Sequence, residues 1–109
     1  MKAGGSVTEL AFYRLSGQVP GFCVLIGTVT LVAGSETIDP GNNDTNFEGS
    51  GSLRRFLRWG LENQTAGRAP QVQSDWNATQ QGDRLTITGT GTDTYAFWIE
   101  GIDSGADVT

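Results

Sequence analysis

Three groups of residues carry the side chains with most chemical scope, and none assembles a reaction centre by itself. Arg54, Arg55 and Arg58 place half of the six arginines within five residues. On a chain of formal charge −5, such a cluster suits an acidic protein surface. The acidic remainder repels a phosphate backbone, so nucleic acid is not an expected partner. Trp59, Trp76 and Trp98 lie on three separate apolar stretches. Aromatics on strands serve first as core anchors, and a carbohydrate-stacking platform is the alternative. Asn42, Asp44, Asn46 and Glu48 set oxygen ligands at alternating positions, the type calcium prefers. The segment lacks the Asp-rich start and sixth-position Gly of a helical calcium loop. A solvated turn is therefore expected, and no metal site is assigned.

Covalent chemistry has little to work with. There is no His, which removes the commonest general base and metal ligand together. The single Cys23 sits in Phe22-Cys23-Val24-Leu25-Ile26, where a thiol packs as a small hydrophobe. Ser and Thr are plentiful but have no partner to activate them. Glu100, on an aromatic stretch, is one acid without the second that glycoside hydrolysis needs. The expectation is a protein that is not an enzyme and uses no cofactor.

The elements that must carry these residues are strands. Gly27-Thr28-Val29-Thr30-Leu31-Val32-Ala33-Gly34 and Leu85-Thr86-Ile87-Thr88 alternate Thr with aliphatic residues between glycines. That alternation gives each strand one dry face and one hydroxyl-bearing face. Sixteen glycines and a single Lys make a poor helical inventory. The pattern predicts strands over 7–15, 22–33, 36–38, 53–62, 71–76, 84–88 and 94–102, with the last two joined as a hairpin through 89–93. The 53–62 stretch is ambiguous. Leu53, Phe56, Leu57 and Leu61 keep helical spacing, while Arg55, Leu57, Trp59 and Leu61 keep strand spacing. The surrounding pattern and Gly60 favour a strand with its arginines on the less buried side.

The fold class expected is all-β, a small antiparallel β-sandwich or jelly-roll-like barrel with long loops. One domain is expected, divided into an N-terminal arm and first strand (1–21), the sandwich (22–102) and a polar tail (103–109). The apolar stretch from Phe22 to Ala33 is broken by Thr28 and Thr30 and is too short to span a membrane. Neither an export signal nor a membrane partner is expected. Asn-x-Thr triplets begin at Asn43, Asn63 and Asn77 and are taken as turns rather than glycan acceptors.

The order of these pieces resembles a small β-sandwich of tailed-bacteriophage virion proteins, found as a capsid-decoration or head-fibre module or a terminal tail domain. The matching residues are Gly27 to Gly34, Arg55-Phe56-Leu57, Leu85 to Thr88, and Asp93-Thr94-Tyr95-Ala96-Phe97-Trp98-Ile99. The resemblance covers roughly 24 to 102. It implies a non-enzymatic virion protein, assembled in the host cytoplasm, that docks on capsid or other virion subunits. A homo-oligomer is implied, with a trimer the form expected at capsid three-fold positions. The first twenty-odd residues have no counterpart in that pattern and are expected to dock as an arm. Phe12 and Tyr13, with Arg54, Arg55 and Arg58, are the expected partner-binding residues. A carbohydrate- or receptor-binding module using Trp59, Trp76 or Trp98, with calcium as an optional aid, is the alternative.

Overall fold

Alternation in Phe22–Thr30 puts Cys23, Leu25, Gly27 and Val29 on one side, all buried, and leaves Val24, Ile26, Thr28 and Thr30 on the other. In the computed structural model, which describes residues 2–4, 6–15, 21–40, 53–79 and 82–103 (the backbone alone for 2–4 and 103), this segment is the middle of a sheet. Among the described residues, eight strands follow in chain order: β1 (Lys2–Gly4), β2 (Val7–Arg14), β3 (Phe22–Thr30), β4 (Ser35–Ile38), β5 (Leu53–Asn63), β6 (Gln71–Asn77), β7 (Gly82–Thr88) and β8 (Thr94–Asp103). They form a five-stranded sheet, β1-β2-β3-β8-β5, and a three-stranded sheet, β4-β7-β6, all antiparallel. The chain is an all-β protein with the layers of a small sandwich.

The core lies between the inner faces. Val7, Leu25, Val29, Tyr95, Phe97 and Ile99 meet Ile38, Leu85 and Ile87 across it. Cys23 is wholly buried, its thiol 3.5 Å from the Gly101 carbonyl oxygen. The threonines of β3 and β7 stay on the outer faces, as the alternation predicts. Thr30 and Thr94 hydroxyls hydrogen-bond across β3 and β8 at 2.9 Å.

One expectation is revised. The segment 84–102 is not a hairpin: β7 pairs with β4 and β6, whereas β8 pairs with β3 and β5. Residues 89–93 cross from one sheet to the other beside residues 31–34, which cross the same gap. Leu31 N donates to Asp93 O, Gly34 N to Gly91 O and Gly89 N to Gly34 O, each at 2.9 Å. The β3–β4 ribbon thus stays hydrogen-bonded to β7–β8 around the corner, a rolled, jelly-roll-like path. The reason is burial. Leu85 and Ile87 face Phe97 and Ile99 only if their strands lie in opposed layers. Strand β2 pairs with β3 along its length and buries Val7 and Glu9, so the first strand is part of the large sheet.

The corner is tight. Val32 and Ser35 exchange both backbone hydrogen bonds across Ala33 and Gly34, whose φ values are 52° and 86°. Two positive φ values in a two-residue loop are the type I′ geometry, which favours Asn-Gly. Ala33 pays a Cβ penalty of about 1 kcal/mol there. Ala33→Asn is expected to stabilise the protein by about that amount, read as a higher thermal midpoint with an unchanged circular dichroism spectrum.

Strand β5 explains its own ambiguous spacing. Its register against β8 shifts between Leu53 and Arg55 and again between Phe56 and Arg58. Each shift inserts a residue, so Leu53, Phe56, Trp59 and Leu61 all turn toward the core. Spacings of three come from bulges, not from a helix.

Candidate binding face

The outer face of the large sheet brings Trp98 and Arg58 together. The pairings Ile26↔Trp98 and Gly60↔Trp98 place Trp98 at the centre of three adjacent strands. Along β8, Ala96 and Glu100 flank it on the same face. On β3 the flanking residues are Val24 and Thr28, and on β5 they are Arg58 and Glu62. Trp98 keeps 45% of its surface exposed.

Gly60 determines how the indole lies. A Cβ placed on Gly60 would sit 2.7, 2.9 and 3.0 Å from Cη2, Cζ2 and Cζ3 of Trp98. Three consecutive ring atoms nearly equidistant from one point mean that the ring presents its face to Gly60, not its edge. The indole therefore lies across β5, covering the backbone where a side chain is missing. Beside it runs an open groove of about 390 Å³, lined by Ile26, Gly60, Leu61, Glu62, Ala96, Phe97 and Trp98.

The arginines are largely occupied within the chain. Arg58 forms an ion pair with Glu100 through Nε and, at 3.2 Å, through Nη2. That hydrogen bond, helped by the charge, lowers the Glu100 pKa below its usual value. Arg55 stacks over the Trp76 ring at 4.2 Å, tying the edge of the large sheet to β6 of the small one. Arg54 is half-buried and also engaged. Within this cluster, the guanidinium that borders the Trp98 face is that of Arg58.

The aromatics separate by depth. Trp59 is half-buried and packs against the core, opposite Ile99. Trp76 is 41% exposed, so the expectation of three core anchors is met by Trp59 alone. Phe12 is half-buried against the core opposite Leu25, while Tyr13, one residue on, is 52% exposed. Leu10, at the register shift of β2, and Leu15, just past its end, are 42% and 46% exposed. The oxygen-bearing segment Asn42, Asp44, Asn46 and Glu48 lies outside the described residues. Among the described residues, no three His, Cys, Asp or Glu side chains converge as a metal site.

Sequence reasoning missed Gly60, Ile26, Glu62 and Leu10. A glycine inside an aromatic strand was the available signal for Gly60, since it marks close approach by a neighbour. The other three depend on register.

Two Asn-x-Thr triplets are turns. Asn63 Oδ1 accepts from Thr65 N and Ala66 N at 2.8 and 2.9 Å, and Asn77 Oδ1 accepts from Thr79 N at 3.2 Å. Asn63 Nδ2 donates to Arg68 O and Asp93 Oδ2, both at 3.0 Å. The third triplet, at Asn43, is outside the described residues.

No helix among the described residues is long and apolar enough to cross a membrane. No family model matches the chain, nor does any curated protein or solved structure.

Proposed function

We propose that this chain is a non-enzymatic structural protein of a bacteriophage particle, a capsid decoration or cement subunit or a fibre or tail component. It works by non-covalent docking on capsid or other virion proteins. The observation that carries the docking part is the exposed trio Leu10, Tyr13 and Leu15, within six residues beside the β1 edge of the large sheet. Clustered exposed apolar groups on a small domain favour burial against another surface. The particle itself is supported by the sequence resemblance over residues 24–102. Repetition in a closed oligomer, a trimer in this reading, multiplies weak contacts by raising effective concentration.

The double variant L10S/Y13S tests this reading. It is expected to keep its thermal midpoint within a few degrees, because both side chains are already exposed. Affinity for purified particles, measured by sedimentation, is expected to fall tenfold or more, about 1.4 kcal/mol, and the mass measured by light scattering to fall from that of a trimer toward that of a monomer. A wild-type chain that is monomeric and never sediments with particles overturns the assignment.

A carbohydrate- or receptor-binding role is the second reading. It is favoured by the flat, exposed indole of Trp98 at an open groove.

A further inference from the structure

We infer that the Trp98 groove is a subsite for one pyranose ring of a neutral glycan, stacked by its C–H face on the indole. This deepens the carbohydrate reading and names both the ligand class and the pose. It is independent of the Leu10 and Tyr13 patch, which lies two strands away on β2.

The indole comes first. One face is held against the β5 backbone at Gly60, so the ring is braced from below and cannot swing into the sheet. Its opposite face is the part that accounts for the exposure. A braced planar ring costs little entropy on binding. Its negative π-face attracts the weakly positive C–H groups of a sugar's apolar side.

Glu62 is the charged residue that lines the groove, and the Arg58–Glu100 ion pair stands on the far side of Trp98, outside that lining. Arg58 and Glu62 stand two residues to either side of Gly60 on β5, each about 7 Å along the strand. Glu100 and Thr28 occupy neighbouring positions on β8 and β3. A carboxylate accepts two hydroxyls. The equatorial hydroxyls around a stacked ring radiate in its plane, toward Glu62.

Charge and size exclude other occupants. Arg58 offsets Glu100, which leaves the negative charge of Glu62 at the groove. That residue of charge disfavours acidic sugars and phosphates. A fully apolar ligand would strip water from the Glu62 carboxylate without replacing its hydrogen bonds. The groove, about 390 Å³, falls in the range of small-ligand sites and is too small for a folded partner.

The test is an array of neutral and acidic oligosaccharides probed with the full chain, followed by titration of the bound glycans monitored by NMR. Binding of at least one neutral glycan is expected, with sialylated and sulfated counterparts weaker. Trp98→Ala is expected to weaken it about tenfold or more. Glu62→Gln is expected to weaken it less, with both variants keeping the wild-type thermal midpoint. Sedimentation with particles should be unchanged in Trp98→Ala, so loss of particle binding and loss of glycan binding report on different proposals. An array with no bound glycan overturns the inference. So does a preference for acidic glycans, or binding that ignores Trp98→Ala.

Discussion

Gly27→Val is expected to leave the chain unfolded or nearly so. A Cβ at this position would strike the Thr8 carbonyl oxygen and would lie 2.7 and 2.9 Å from Cζ and Cε2 of Phe97. Neither neighbour can give way. Thr8 is held in the β2–β3 ladder, where it pairs with Thr28, and Phe97 is 3% exposed among core residues. Moving the backbone would unpair β2, and moving the ring would open the core. Overpacking costs about 1–3 kcal/mol where some relaxation is available. Here relaxation is blocked on two sides, and the cost is measured against a total stability of about 5–15 kcal/mol. Gly67→Ala is the matched control, since nothing lies within 4 Å of its added methyl. It is expected to leave the urea midpoint unchanged. A folded Gly27→Val protein with a wild-type midpoint would refute the packing described at the β2–β3–β8 junction.

The second large effect centres on Asp93, which is almost fully buried between the sheets' crossing segments. Its carboxylate accepts two hydrogen bonds from Arg68, both at 2.7 Å, and one from Asn63. Its own backbone oxygen accepts from Leu31 N. One residue thus fastens β5, the 64–70 loop and the corner of the β3–β4 ribbon together. The hydrogen bonds from Arg68, then that from Asn63, lower its pKa against the opposing effect of burial.

The sign follows from linkage. A carboxylate with a folded pKa below its unfolded value, about 3.9, contributes stability that is complete above that value. The contribution is lost as pH falls from there through the folded pKa. Asp75, lowered by its hydrogen bonds from Arg84, and Glu100, lowered by those from Arg58, act in the same direction. Both are more exposed than Asp93 and more screened by solvent, so Asp93 dominates. Asp93→Asn should lower the thermal midpoint at pH 7 by several degrees and flatten its decline as pH falls below about 4. A variant whose acid profile parallels wild type would show that this carboxylate does not hold the corner.

The strands themselves were legible because their faces differ chemically. Thr28 and Thr30 against Leu25 and Val29, or Thr86 against Leu85 and Ile87, state the period of two directly. In β5 the signal was mixed, because two register shifts replace alternation by steps of three, and only pairing with β8 locates them. Pairing partners were the weakest inference. Short sequence separation suggested that β7 and β8 were neighbours, but adjacency in the chain says nothing about which layer buries which face. Arg55 and Arg58 were legible as a cluster. Their ties to Trp76 and Glu100 were not, since those partners lie 21 and 42 residues away.

Composition and alternation alone determined an all-strand chain with one thiol packed inside and no histidine chemistry, because side-chain polarity must match the face it occupies. Tertiary structure decided which tryptophan is covered. Trp59 and Trp98 both lie on β-strands among apolar residues, yet one faces the opposing sheet and the other faces solvent over Gly60. The difference arises because bulges reset the parity of one strand, and parity is a property of the pair of strands rather than of either sequence.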